Sequence, residues 1–239
     1  MLNEKPIHFY FVTLFPETIR PWLTSSILGK AHQAGLFHFE LLQLRDFASD
    51  RHKTVDDVAY GGGGGMVLKI EPLVKAVEAI LKNAGRESVK IIYPSPAGHP
   101  LTHRLVSDLA KGKTRNFIFI CGHYEGIDQR FIDHWVDLEI SVGDFVITGG
   151  ELPAALMVDA MIRQLDGALG GEAAHVKESF ALRHASGTLL EYPHYTRPAE
   201  FRGLQVPKIL LTGDHKRIEA WREKEALHRT QTRRPDLLS

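Results

Sequence analysis

The chain is poor in cysteine, in net charge and in long apolar runs. Cys121 is the single cysteine among 239 residues, which excludes a disulfide framework and fits a reducing compartment. Lysine and arginine number 29, and so do aspartate and glutamate. A neutral chain has no overall field to draw in nucleic acid, so an RNA partner must be held by a local basic patch. No apolar stretch reaches the roughly 20 residues of a membrane span; the run at residues 7–15 is interrupted by His8 and followed by Pro16. Neither a signal peptide nor a membrane partner is expected, and the compartment expected is the cytoplasm. What remains is the composition of a globular protein, 44% hydrophobic and 24% charged, long enough for one large domain or a large and a small one.

Strand and helix patterns alternate through the first two thirds. Ile7, Phe9 and Phe11 alternate with His8, Tyr10 and Val12 in a strand, and a helix is predicted from Thr18 to Lys30, stopping near Gly35. Further strands are read at residues 37–44, 89–93, 116–121, 138–141 and 145–147. Helices are read at 71–81 and 101–111, with a helix or turn at 129–134 and a helix opening at Pro153. This order predicts an α/β fold with a parallel sheet, in which ligands sit beyond the carboxyl ends of the strands. Three Gly-, Pro- and Ser-rich segments, beginning at Pro94, Gly122 and Gly143, fall at or beside such ends and can converge on one pocket.

The stretch at residues 143–153 concentrates the signal. Phe145, Val146 and Ile147 read as a buried strand, Gly149 and Gly150 leave the backbone bare, and Pro153 suits the first turn of a helix. Bare backbone at a helix start offers amide donors and close approach to a flat ligand, although a glycine pair also makes ordinary turns. In the helix that follows, Ala154, Met157, Val158, Met161 and Leu165 share an apolar stripe. Asp159 and Arg163, four apart, share another face, as a surface ion pair or as part of a site.

Two further segments keep alternatives open. Residues 45–58 are dense in charge and read as a solvated loop. Gly61 to Gly65 lack the Gly-Lys-Ser/Thr ending of a phosphate loop, which leaves close backbone packing, ordering on binding, or a plain linker. After Leu165 the helical pattern dissolves, so the domains are read as residues 1–165, a linker at 166–187, and a small C-terminal domain at 188–239. Within the last, Glu191-Tyr192-Pro193-His194-Tyr195-Thr196-Arg197-Pro198 is extended, Val206 to Leu211 continue it, and Asp214 caps a basic helix at residues 215–227. Basic and aromatic side chains there suit RNA phosphates or simply a solvated helix.

Taken in order, six motifs resemble one family. They are Val12-Thr13-Leu14-Phe15-Pro16-Glu17, the glycine run ending in Met66, Gly122-His123-Tyr124-Glu125-Gly126-Ile127-Asp128, residues 143–153, Pro193-His194-Tyr195-Thr196-Arg197-Pro198 and Arg233-Arg234-Pro235-Asp236-Leu237-Leu238. Together they are similar to the bacterial tRNA (guanine-N1)-methyltransferases of the SPOUT class. The resemblance implies a deep trefoil knot in the sheet domain, a small mostly helical C-terminal domain, and a homodimer with active sites at its interface. It also implies S-adenosylmethionine as methyl donor, tRNA as substrate, methylation at guanosine 37 and a dependence on magnesium, for which no carboxylate cluster in the sequence offers a metal site.

Carried over by residue, the resemblance implies a donor pocket made by Tyr93, Pro94, Ser95 and Pro96, by Gly122, Tyr124, Glu125 and Gly126, and by Ser141, Val142, Gly143, Asp144, Phe145, Val146, Ile147, Gly149, Gly150 and Pro153. Arg163 falls on the catalytic arginine and Glu178 on the general base, where relatives commonly carry aspartate; Gly64 stands where many have proline. Residues implied to meet tRNA are Asp50, Arg51, His52, Gly61, Gly62, Gly63, His194, Arg197, Arg229, Arg233 and Arg234. A related knotted enzyme acting on another RNA position, or a non-catalytic RNA-binding homologue, are the competing expectations.

Overall fold

The computed structural model describes residues 5–169 and 178–238, and the chain divides into two compact units, Met1–Leu169 and Gly170–Ser239. Residues 170–177 of the expected linker lie outside the described residues.

The first unit runs β1 (Ile7–Thr13), α1 (Pro16–Leu23), α2 (Ser26–Gln33), β2 (Phe37–Gln43), β3 (Asp56–Asp57), β4 (Val67–Leu68), α3 (Ile70–Ala84), β5 (Val89–Pro100), α4 (His103–Lys111), β6 (Asn116–Ile120), α5 (Gln129–Trp135), β7 (Leu138–Ser141) and α6 (Glu151–Ile162). Five strands form one sheet in the order β2-β1-β6-β5-β7, and every neighbouring pair is parallel, as the alternation predicts. Successive side chains point to opposite faces. Phe9, Phe11, Phe117 and Phe119 therefore meet α1, α2, α4 and α6 on one side, while Tyr10, Val12, Ile118 and Ile120 meet α3 and α5 on the other. Helices on both faces explain why the central strands read as nearly continuous apolar runs. Truncating one fully buried ring, as in Phe119→Ala, costs about 3–5 kcal/mol.

Several expectations change. The helix read from Thr18 to Lys30 is two helices, because Thr24 Oγ1 and Ser25 Oγ donate back to the carbonyls of Arg20 and Pro21 and close the first one. Gly35 has the positive φ expected of a cap, +74°. Strand β5 does not end at Tyr93. It pairs with β7 up to Pro94, leaves the ladder, and rejoins it at His99. Pro94 and Pro96 have no amide to donate, so the intervening residues bulge outward, and Gly98 brings the backbone home against Glu139 and Ile140, where a Cβ would collide. Residues 145–147 are not a buried strand: Phe145 is 57% exposed and Val146 83%, because the chain there wraps the rim of a cavity instead of entering the sheet. Nor are residues 45–58 merely a solvated loop, since β3 pairs with β4 and Val55 is fully buried.

The second unit holds two short hairpins, β8 (Arg183–His184) with β9 (Gly187–Thr188) and β10 (Glu200–Phe201) with β11 (Leu204–Gln205), and the long helix α7 (His215–Arg233). Asp214 caps α7 by accepting from the Arg217 amide at 3.1 Å. Thr230, fully buried in α7, accepts from the Leu190 amide at 2.8 Å and donates to the Ala226 carbonyl at 2.7 Å. One hydroxyl thus ties the segment before Glu191 to the helix. The apolar run read as extended at residues 206–211 turns into a 3-10 helix at Lys208–Leu211.

Candidate functional site

The bulge of β5 and the loops that leave β6 and β7 at their carboxyl ends enclose a cavity of about 220 Å³. Its walls are residues 93–96 from the β5 bulge, 122–126 after β6, and Ile140, Val142, Gly143, 145–150 and Pro153 from β7 to the start of α6. The three segments singled out in the sequence therefore meet. Ser141 and Asp144 do not line the cavity: Ser141 is buried and its Oγ accepts from the Gly143 amide at 3.2 Å, and Asp144 points to solvent. His123, Ile140 and Thr148 line it as well. His123 and Thr148 fall inside the stretches at residues 122–128 and 143–153 that the sequence picked out, whereas Ile140, an ordinary strand residue, carried no such signal.

The glycines act through their missing side chains. A Cβ on Gly122 would lie 2.9 Å from the Tyr93 ring, and one on Gly150 would lie 2.7 Å from Cys121 Cα and 2.8 Å from Gly122 N. The Gly150 amide is not an open donor, for it donates to the Gly122 carbonyl at 2.9 Å. At Gly150 close approach, not an open amide, is what the missing side chain gives. Burial, reinforced by the charge of Glu139, pushes the Tyr93 phenol up to about 12, so its hydroxyl keeps its proton at neutral pH. Burial also raises the Cys121 thiol well above its ordinary value, and the charge of Glu151 adds to this; the thiol is inert.

Behind the glycine corner lies a polar cluster. Thr13 Oγ1, fully buried at the end of β1, donates to Glu151 Oε1 at 2.5 Å and accepts from the Phe15 amide at 2.9 Å. His123 Nε2 donates to the same carboxylate, 2.9 Å from Oε1 and 2.7 Å from Oε2. The edge of Phe15 meets the His123 ring with 5.0 Å between centroids. On the far side is a second cavity, lined by Phe15, Thr18, Ile19, Trp22, Leu152 and Ala155, which shares His123, Thr148 and Gly149 with the first.

Helix α6 leads from this corner to Arg163, its C-terminal cap. Ala154, Met157, Val158 and Met161 are buried as their spacing predicts. Burial pushes the Asp159 carboxyl above its usual range, and Arg163 pulls it back, so the two charges feel each other. Glu178 belongs to the second unit, where its carbonyl accepts from the amides of Ala181 and Leu182 at 3.1 and 3.2 Å.

The other residues implied by the resemblance belong to both units. Asp50 closes a turn, accepting from the His52 and Thr54 amides at 2.9 and 3.0 Å. Desolvation pulls its carboxyl up, but these bonds, with one from the Thr54 hydroxyl, together hold it below its usual value. Arg51 and His52 are exposed beside it. Gly61, Gly62 and Gly63 have φ of +87°, +82° and +110° in an open loop. In the second unit His194 pairs with Glu191 at 2.9 Å, and Arg197 and Arg233 are exposed. Arg229 is half-buried in α7, and Arg234 grips Asp236 through two nitrogens at 2.9 and 2.7 Å. Among the described residues no group of three or more His, Cys, Asp or Glu side chains is placed to hold a metal ion, and no helix is long and apolar enough to cross a membrane.

Known proteins extend the resemblance over nearly the whole chain. The sequence model of the family described as tRNA (Guanine-1)-methyltransferase TrmD matches residues 7–239. A tRNA (guanine-N(1)-)-methyltransferase of Brevibacillus brevis is 52% identical over 226 residues, 95% of this chain and 89% of its own length. Those of Bacillus subtilis and Carboxydothermus hydrogenoformans are each 49% identical over 95% of this chain, and over 90% and 85% of their own lengths. With a parallel α/β unit, a glycine-walled cavity at its carboxyl edge and a match from β1 to the last residue, the chain belongs to the tRNA (guanine-N1)-methyltransferase family.

Proposed function

We propose that the protein transfers the methyl group of S-adenosylmethionine to N1 of the guanosine at tRNA position 37, beside the anticodon and after another guanosine. The observation that carries this reading is the cavity beyond β5, β6 and β7, closed by glycines that admit no Cβ, in a chain of this family. Tyr93, Tyr124, Phe145 and Ile147 give that cavity flat apolar surface with backbone polar groups between, which suits a nucleoside-bearing ligand. The residues implied from the sequence other than Ser141 and Asp144, together with His123, Ile140 and Thr148, would hold the donor.

Once bound, the donor supplies an already activated methyl group, so the chain must position the base and handle its proton. Guanine N1 carries a hydrogen that has to leave as the new bond forms. The Glu178 carboxylate takes that proton, a role worth about a hundred- to ten-thousand-fold in rate. Arg163 stabilises the negative charge that develops on O6 and does not itself deprotonate. Asp159, one helical turn back, shares the charge environment of Arg163.

A deep trefoil knot in the first unit, a small C-terminal domain that holds tRNA, a homodimer and a cytoplasmic workplace belong to the same proposal. Trp22 and Leu152, which line the second cavity, are 54% and 62% exposed, and Leu156, four residues further along α6, is 44% exposed; large apolar groups left open beside a site favour a partner copy. Arg51, His52, residues 61–63, His194, Arg197, Arg229 and Arg233 supply the candidate RNA contacts. Primer extension on tRNA tests the whole reading: a stop at position 37 that needs both protein and donor is expected, and a stop elsewhere overturns the assigned position. Glu178→Gln should cut turnover at least a hundredfold while donor binding persists; full activity in that variant removes Glu178 as the base.

A further inference from the structure

We infer that Glu151, held in place by hydrogen bonds from Thr13 and His123, is a positioning residue for the donor pocket, acting through the backbone of Gly149 and not by itself touching the ligand. The inference rests on the methyl-donor reading above. Glu151 does not line the donor cavity; it lines the second cavity behind it. Its side chain is only 11% exposed, that of His123 15%, and Thr13 is wholly buried. A carboxylate so enclosed is tolerable only when its oxygens are satisfied. Here Thr13 Oγ1 donates to Oε1 at 2.5 Å, and the single His123 Nε2–H is shared between Oε1 and Oε2 at 2.9 and 2.7 Å.

The cluster joins three separate pieces of chain: the end of β1, the loop after β6 and the first turn of α6. Glu151 and His123 fill the space against which Gly149 lies. A Cβ there would collide with the imidazole and lie 2.7 Å from Glu151 Oε2. In front of the cluster, Gly149 bridges to His123 through the backbone, and Gly150 N donates to Gly122 O. The wall of the donor cavity is therefore bare backbone with a hydrogen-bonded brace behind it. Because Glu151 also opens α6, whose other end is Arg163, the brace fixes the start of the helix that presents the proposed electrostatic partner.

Glu151→Gln keeps the volume but puts an amide NH2 where Oε2 stood, 2.7 Å from His123 Nε2, so two N–H donors face each other unless the imidazole changes tautomer or the amide turns and loses the Thr13 bond. Losing such a bond in a buried network typically weakens what it supports by about tenfold. The experiment measures donor affinity by calorimetry, KM for donor and for tRNA, kcat, and melting temperature, for wild type, Glu151→Gln, Thr13→Val and Thr13→Ser. Expected are a KM and Kd for donor raised about tenfold in Glu151→Gln and Thr13→Val, a kcat lowered less than threefold, and near-recovery in Thr13→Ser, which keeps the hydroxyl. Donor affinity within twofold of wild type in Glu151→Gln and Thr13→Val, even with a lower melting temperature, overturns the inference and leaves a brace for stability alone. An equal loss in Thr13→Ser overturns it too, because packing rather than hydrogen bonding would then be at work. Wild-type protein that binds no donor overturns the methyl-donor reading itself.

Discussion

Two glycine-rich stretches of the first unit use the same residue for opposite reasons. At the cavity, Gly149 and Gly150 are crowded: an added Cβ would strike His123 and Glu151 at the first and the backbone of Cys121 and Gly122 at the second. At residues 61–64 an added Cβ would meet nothing within 4 Å. The first pair is required by packing. In the second stretch, Gly61, Gly62 and Gly63 are favoured by backbone conformation alone, since each has a positive φ. Gly65 marks the boundary, because its Cβ would run into the Glu125 side chain, itself a cavity-lining residue. The open loop is thus anchored at its last residue, where Glu125 N donates to Met66 O at 3.0 Å.

The largest effect should follow from crowding the packed corner. In Gly150→Ala the new methyl meets backbone, which cannot swing away. Overpacking of this kind costs about 1–3 kcal/mol, so the melting temperature should fall by roughly 3–10 °C, and donor affinity should drop more than tenfold as the loops part. An unchanged melting curve with normal donor binding would show that the corner has slack. Gly122→Ala should do less, since the clash is with the Tyr93 side chain. That ring lines the cavity, so the loss should fall mainly on donor affinity, severalfold in a calorimetric titration, with about 1 kcal/mol of destabilisation.

The same contrast explains what the sequence disclosed. The sheet was legible because strand and helix periodicities are local and the core faces of α3, α4 and α6 keep their spacing. Convergence of the loops at Pro94, Gly122 and Gly143 followed from the parallel-sheet rule, which needs only strand order. The exposure of Phe145 and Val146 was not legible, because three consecutive apolar residues look alike whether they enter a sheet or rim a cavity. Nor was the brace behind Gly149: Thr13, His123 and Glu151 are distant in the chain, and nothing in their local sequence announces that one carboxylate will take both donors. The open geometry of residues 61–64 was equally hidden, as five glycines carry no side-chain pattern to read.

The smallest effects should come from the open loop, and they should differ in sign. Gly62 has a φ of +82°, so Gly62→Ala forces an L-residue into the left-handed region at a cost of about 1 kcal/mol, a fall of roughly 2–4 °C in melting temperature, with donor affinity untouched. Gly64 is the one glycine of residues 61–65 without a positive φ and has open space around it. Gly64→Ala therefore adds no strain to the folded chain and narrows the unfolded ensemble, which stabilises by about 0.4–1 kcal/mol. A rise of roughly 1–3 °C is expected. A fall in Gly64→Ala would mean that the loop needs freedom at that residue as well, and the distinction between glycines held by packing and glycines chosen by conformation would then fail where it is easiest to test.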